Sequence, residues 1–353
     1  MFDAIVLTAA NGAQARGYRA ELARRRKDGR LDPRVKTLAI SDPGGRRVGS
    51  LGATVRALAK IDLTKRTLVC HSGGDARRTP GYAARGKAFI PLADGALFDE
   101  IVRNMSRLAL PEAGVLVVCG DVAPRFDYAA ADFSRPGVTG VGYWDGYDQA
   151  ARHGVYVADR AGRVRNFLQK PSREAALAAG AFRRGKLAVD TGIFWIDAPT
   201  ARKMLRAGWK TGDLYERFAT ELVRGFAPFW AHVAGCGELF HVGTSRELLA
   251  LLGRDGVHLD GCGIPREAMD LAGGNVVTGV PANWPKKVRL AKNECLAALP
   301  VGRDGWVEVR YGLDDNFKED GKWEKKLFRL DGKAVSLKEL VPRVNAVRLA
   351  KTS

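Results

Sequence analysis

The chain has 353 residues, of which 46% are hydrophobic, enough for one large or two medium domains with packed cores and too apolar for a disordered chain. No apolar run approaches the roughly 18 residues of a membrane span. The formal net charge of +18 raises nucleic acid as a partner, but the basic residues are spread, clusters such as Arg24–Lys27 are short, and no nucleic-acid-binding motif is present. The charge therefore reads as a solvated basic surface, and neither nucleic acid nor membrane is expected as a partner.

In chain order, Met1–Thr8 carries an acid, Asp3, where a secretory signal would carry bases. It reads as a first strand over 4–8, followed by a helix over 12–27 rich in Ala and Arg and a second strand over 37–40. A glycine-rich loop, Asp42-Pro-Gly-Gly-Arg-Arg-Val-Gly-Ser-Leu-Gly-Ala-Thr54, leads into a helix expected over 55–60. An apolar strand, 67–70, runs into His71-Ser-Gly-Gly-Asp-Ala-Arg-Arg-Thr-Pro-Gly-Tyr-Ala-Ala-Arg-Gly-Lys87. A helix over 98–108 and the fully apolar strand 114–119 follow. This alternation predicts a mostly parallel sheet flanked by helices, with ligands at the carboxyl ends of its strands. A hairpin around 159–162, a strand over 189–196 and helices over 199–207, 214–224 and 245–252 come next. After about Asp255 short strands (276–280, 288–290, 306–311) alternate with Gly, Asn and Pro. The domains are accordingly 1–254 and 255–353, the second smaller and β-rich, without a clean hexapeptide repeat.

The 71–87 segment carries the most chemistry. Gly73 and Gly74 after a strand let backbone N–H groups approach phosphate oxygens closely. Arg78 and Lys87 can then neutralise a nucleoside triphosphate as pyrophosphate leaves. Asp121, after Gly120 at the end of an apolar strand, is placed to hold Mg²⁺ beside those phosphates, or simply closes a turn. Lys170, in Phe167-Leu-Gln-Lys-Pro171, suits a phosphate that must bind and then react. Asp190 either hydrogen-bonds sugar hydroxyls or only starts a strand. Gly49, Ser50, Gly52 and Thr54 ahead of a helix offer donors to an anion or a base edge. GxxxxGKS/T is absent, as is GxGxxG after a strand, which excludes a P-loop and a Rossmann dehydrogenase. His71 and His241 read as packing or hydrogen-bonding residues, since a sugar-1-phosphate is already ionised at pH 7 and needs no general base. Five cysteines without CxxC spacing suit reduced thiols in a cytoplasm.

Together these segments resemble the GDP-fucose pyrophosphorylase (fucose-1-phosphate guanylyltransferase) family, including the guanylyltransferase half of bifunctional fucokinase/GDP-fucose pyrophosphorylases. The likeness includes Phe2-Asp-Ala-Ile-Val-Leu-Thr-Ala-Ala10, the 42–54 and 71–89 segments, Gly120-Asp121, His153-Gly-Val-Tyr-Val157 and Phe167–Pro171. It continues through Val189-Asp-Thr-Gly192, Phe240-His-Val-Gly-Thr244 and Tyr311-Gly-Leu-Asp-Asp-Asn-Phe317. It implies a Rossmann-like nucleotidyltransferase domain followed by a β-helix-like domain. It also implies the Mg²⁺-dependent reaction of GTP with L-fucose-1-phosphate to give GDP-fucose and pyrophosphate. By motif, Gly73, Gly74, Arg78 and Lys87 would hold the triphosphate, Asp121 the metal, Lys170 the sugar phosphate and Asp190 the sugar. Gly49, Ser50, Gly52 and Thr54 would line the nucleotide site. Leu51 departs from the small residue usual there, Ala76 from the usual Ser, and His241 stands where broader nucleotidyltransferases place a second metal-binding Asp. The alternatives are the same chemistry with another sugar phosphate or triphosphate, and a non-catalytic sugar-nucleotide-binding scaffold. No feature speaks to oligomeric state.

Overall fold

The computed structural model describes residues 1–319 and 321–351. By its internal contacts the chain divides into two units. The first comprises Met1–Thr8, Asp32–His71 and Asp99–Phe240; the second comprises Ala9–Leu31, Ser72–Phe98 and the described residues from His241 onward. The units interleave along the chain.

The first unit is built on a mixed sheet that has nine strands among the described residues. Its centre is the strand Arg66–His71, flanked in parallel by Ala4–Ala9 and Gly114–Cys119. These strands read as continuous apolar runs because helices or chain cover both faces. Lys36–Ser41 lies outside Ala4–Ala9. On the other side the long strand Leu187–Asp197 pairs antiparallel with Gly114–Cys119 and with Val138–Asp145. Phe229–Ala234 adds in parallel to Val138–Asp145. The hairpin Gly154–Ala158/Val164–Gln169 forms as the turn residues predict and joins Leu187–Asp197 at Val189 and Ala188.

Local signals place the helices of this unit. Asp197 caps Ala198–Ala207 by accepting from the Thr200 N–H at 2.8 Å, Pro199 opens it, and Gly208 closes it in the left-handed region. The second helix is Gly49–Leu58, so the motif read as a loop ahead of a helix forms that helix's first turns. Leu51, Leu58, Val69, Val117, Phe194 and Phe229 belong to one buried cluster.

In the second unit the helix Gly12–Lys27 starts at Asn11, whose side chain accepts from the Gln14 N–H. Val257–Asp260, Asn275–Thr278 and Glu294–Val301 stack in parallel, and Gly305–Gly312 returns antiparallel to the last. Asp270–Leu271 and Arg289–Leu290 form a second parallel pair. The fully buried Asn275 ties successive turns together: its amide donates to the carbonyls of Ala291 and Glu294, and its oxygen accepts from Gly273. Helix Ser245–Leu252 opens with a capping box between Thr244 and Glu247. Among the described residues no helix is long and apolar enough to cross a membrane.

Candidate functional site

The residues singled out by sequence fall partly in the first unit and partly in the second. In the first, the carboxyl ends of Arg66–His71 and Gly114–Cys119 lie level, with His71 opposite Cys119. The Gly120 N–H donates to the His71 carbonyl at 2.9 Å, and Asp121 leaves the sheet half-buried at that edge. His71 itself is a structural residue. Its Nε2 lies 2.9 Å from the Thr54 hydroxyl and its Nδ1 3.2 Å from the Thr8 hydroxyl. The Thr54 hydroxyl donates to the Ser50 carbonyl at 2.9 Å, so Nε2 carries the proton and Nδ1 accepts from Thr8. Burial pushes the His71 pKa down to about 4, against the opposing charge of Asp213.

Asp190 sits on a bulge. Leu187–Asp197 pairs with Val138–Asp145 up to Asp190 and resumes at Ile193, looping out Thr191 and Gly192. Bulges re-aim side chains and recur beside active sites. Here the bulge turns Asp190 inward: it is 5% exposed, accepts from the Tyr156 hydroxyl at 2.5 Å and from the Gly192 N–H at 3.1 Å. Burial lifts its pKa to about 7, against these hydrogen bonds, which favour the charged form. Gly192 is required there, at φ +76, since a Cβ would come within 2.9 Å of the Cys119 sulfur.

The Tyr215 hydroxyl donates to the Gly192 carbonyl at 3.1 Å, so the Cys119 thiol, 3.0 Å away, donates to Tyr215. Burial holds that thiol far above its usual range, and the charges of Asp121 and Asp190 add to the effect. Both carboxyl groups therefore lie within electrostatic reach of Cys119, which stays a neutral thiol. Lys170 is exposed and held at φ +48, a costly conformation for a lysine. Its N–H donates to the His153 carbonyl at 3.0 Å. Its ammonium has no partner among the described residues.

The Gly49–Thr54 motif looks inward. A Cβ on Gly49 would meet the Gly212 carbonyl oxygen at 2.2 Å, and one on Gly52 the Lys210 carbonyl oxygen at 2.5 Å. These glycines admit the crossing backbone of Lys210–Gly212. Ser50 donates to Asp213 at 2.9 Å and accepts from the Leu214 N–H at 2.8 Å. Thr54 and Leu51 are fully buried, so the departure at Leu51 fills the core and does not face a ligand. Ser50, Gly52 and Thr54 thus have their side chains or close approaches engaged inside the first unit.

In the second unit the loop after Ser72 carries the remaining set. Gly73 packs 3.3 Å from the Ala9 carbonyl carbon by its would-be Cβ, whereas Gly74 faces open space. Asp75 pairs with Arg77 at 3.1 Å, and Arg77 stacks on Trp323. The Arg78 guanidinium is exposed, with no ion pair among the described residues. Its carbonyl accepts from the Ser245 N–H at 3.0 Å, and the Lys87 ammonium donates to the Gly243 carbonyl at 3.0 Å. Segment 241–247 therefore grips the loop at both cationic residues. Gly86 (φ +84) lets the Tyr18 hydroxyl approach within 2.3 Å of where a Cβ would stand.

Sequence reasoning missed Tyr156, Asp213 and Tyr215 in the first unit and Gln14, Tyr18 and Gly243 in the second. Asp213 carried a signal, being the cap of the helical segment that begins at Leu214. The others act through partners far away in sequence.

Residues 63–216 match the model of the fucose pyrophosphorylase domain. That stretch takes in the 71–87 loop, Asp121, Lys170 and Asp190. The chain is 28% identical over 368 residues to a bifunctional fucokinase/GDP-fucose pyrophosphorylase of Arabidopsis thaliana, covering 78% of this chain and 34% of that protein. It is 25% identical over 370 residues to an L-fucokinase/L-fucose-1-P guanylyltransferase of Bacteroides fragilis, covering 81% and 38%. It is 27% identical over 204 residues to a human fucose-1-phosphate guanylyltransferase, covering 49% and 33%. The chain spans about a third of the length of the curated relatives it matches. The family resemblance read from the motifs is borne out.

Proposed function

We propose that this protein is a sugar-1-phosphate guanylyltransferase, converting GTP and L-fucose-1-phosphate to GDP-fucose and pyrophosphate. The observation that carries the reading is the loop from Ser72 to Lys87. It joins a glycine open to solvent, an exposed guanidinium at Arg78 with no ion pair among the described residues and an ammonium at Lys87, within a segment that matches the fucose pyrophosphorylase model.

A phosphate oxygen of the sugar phosphate attacks the α-phosphorus of GTP in line. The bond from that phosphorus to the bridging oxygen breaks, and its electron pair leaves with pyrophosphate. No proton need move, so the neutral His71 and the neutral thiol of Cys119 have no part in the step. The residues' work is positioning and charge stabilisation. Arg78 and Lys87 hold the leaving phosphates, and Lys170 holds the sugar phosphate. Asp190, buried and titrating near neutrality, accepts or donates to a sugar hydroxyl according to its charge.

Mg²⁺ fits Asp121. Among the described residues no group of three or more His, Cys, Asp or Glu side chains is arranged to hold a metal. Mg²⁺ commonly uses one or two carboxylates and completes its shell with water and substrate phosphates. When bound it would neutralise phosphate charge. We read the parallel turns after Val257 as a β-helix-like domain, and the protein as cytoplasmic.

The test is pyrophosphate release by the pure protein with Mg²⁺, GTP and β-L-fucose-1-phosphate, beside other sugar-1-phosphates and ATP, UTP and CTP. Release confined to GTP and fucose-1-phosphate supports the assignment. Release with another pair moves the substrate, and none with any pair refutes the reading.

A further inference from the structure

Helix Gly12–Lys27 has a polar face in the place where a packed helix ordinarily carries apolar residues. Gln14, Tyr18, Glu21 and Arg25 recur at helical spacing and share that face. Their exposures are 3%, 0%, 2% and 1%. Buried polar groups are costly unless bonded, and the first two spend their hydrogen bonds on the backbone of Ser72–Gly74. The Tyr18 hydroxyl donates to the Ser72 carbonyl at 2.7 Å. The Gln14 amide nitrogen donates to the Gly74 carbonyl at 2.9 Å while its oxygen accepts from the Ala10 N–H at 2.7 Å. The Ala10 donor thus fixes which end of the amide meets Gly74.

These two bonds set the direction of two peptide planes. Every peptide here is trans, and a planar trans unit points its N–H opposite its C=O. A Ser72 carbonyl held toward the helix turns the Gly73 N–H away from it. A Gly74 carbonyl held the same way turns the Asp75 N–H away. The intervening Gly74 N–H is folded back on the Ser72 carbonyl at 2.9 Å. Neither the Gly73 nor the Asp75 N–H has an acceptor among the described residues. Outward-facing N–H groups with no partner form an anion-binding concavity. The Asp75 carboxylate, which would repel an anion, is paired with Arg77.

We propose that Gln14 and Tyr18 are positioning residues that orient the Gly73 and Asp75 N–H groups as donors to the polyphosphate of the nucleotide, an inference that rests on the nucleotide-binding reading above. Without the Tyr18 hydroxyl or the Gln14 amide the corresponding peptide is free to turn, and the donor it presents is lost to the ligand.

The experiment is calorimetric titration of the full chain with inorganic tripolyphosphate, and with GTP, in Mg²⁺ buffer. Tyr18→Phe and Gln14→Leu are compared with Tyr82→Phe. The last deletes a buried hydroxyl of the same unit that donates to Asp260 and touches no carbonyl of the loop's first turn. Tyr18→Phe and Gln14→Leu are expected each to weaken tripolyphosphate about tenfold, the effect of one lost hydrogen bond to a charged group. They are also expected to raise KM for GTP and leave KM for the sugar phosphate alone, while Tyr82→Phe binds tripolyphosphate as the wild type does. Wild-type affinity in both folded variants, or equal weakening by Tyr82→Phe, overturns the proposal. If one variant fails to fold, the other decides. A wild-type protein that binds neither tripolyphosphate nor GTP brings down the nucleotide-binding reading itself, and the proposal with it.

Discussion

The buried carboxyl of Asp190 makes folding stability depend on pH in a direction opposite to that of most acidic residues. Burial raises its pKa from 3.8 to about 7 in the folded chain, while the unfolded chain keeps the ordinary value. Below pH 3.8 both forms are protonated and the group costs nothing. Between there and pH 7 the folded form binds a proton that the unfolded form lacks, so stability falls as pH rises. Above pH 7 both are ionised and the penalty is constant. A shift of about three units, at ~1.4 kcal/mol per unit, amounts to about 4 kcal/mol. Asp190→Asn keeps an oxygen to accept from Tyr156 and Gly192 but cannot ionise. Urea unfolding of both proteins at pH 5, 6, 7 and 8 should show the variant gaining on the wild type by about 1.4 kcal/mol per unit up to neutrality and levelling beyond. A difference that is constant across that range, or that narrows as pH rises, would refute the assignment of a buried, neutral-range carboxyl.

Three other substitutions separate chemistry from architecture. Lys87→Ala and Asp121→Ala should each lose at least about 2–3 kcal/mol of transition-state stabilisation, read as kcat/KM for pyrophosphate release by the folded variants; wild-type turnover in either sinks its role. Asp260→Ala leaves the buried Tyr82 hydroxyl (2.9 Å) without its carboxylate acceptor and takes from the buried Arg85 guanidinium one of its two carboxylate partners (3.1 Å), Glu21 remaining at 3.5 Å. It should cost about 3–5 kcal/mol in urea unfolding, and a loss below about 1 kcal/mol would contradict the buried pairing.

How much of this molecule can be read from its residues depends on what each local signal is asked to report. The parallel half of the sheet is legible because Ala4–Ala9 and Gly114–Cys119 are buried on both faces and need no polar residues. Val138–Asp145 escapes notice because Gly140 and Gly142 depress any strand signal. They are there because Tyr156 lies against them, its hydroxyl 2.2 Å from where a Cβ of Gly140 would stand. Helix Gly12–Lys27 is legible in extent, with the same bounds in sequence and structure. Its function is hidden, since a polar stripe that binds a loop and one that faces water have the same composition.

The glycines make the sharpest case. Two motifs, Gly49-Ser-Leu-Gly52 and Gly73-Gly74, look alike as sequence, and both suggest backbone donors presented to a phosphate. What distinguishes them is the space a Cβ would occupy. At Gly49 and Gly52 that space is filled by the carbonyls of Gly212 and Lys210, so the absence of a side chain serves the protein's own chain crossing. At Gly74 it is empty, and the carbonyl beside it is already held by Gln14. Only the second arrangement leaves room for a ligand and a donor aimed at it. The helix that begins at Gly49 spends its glycines on packing, and the 72–87 loop is where we propose that backbone donors meet the triphosphate.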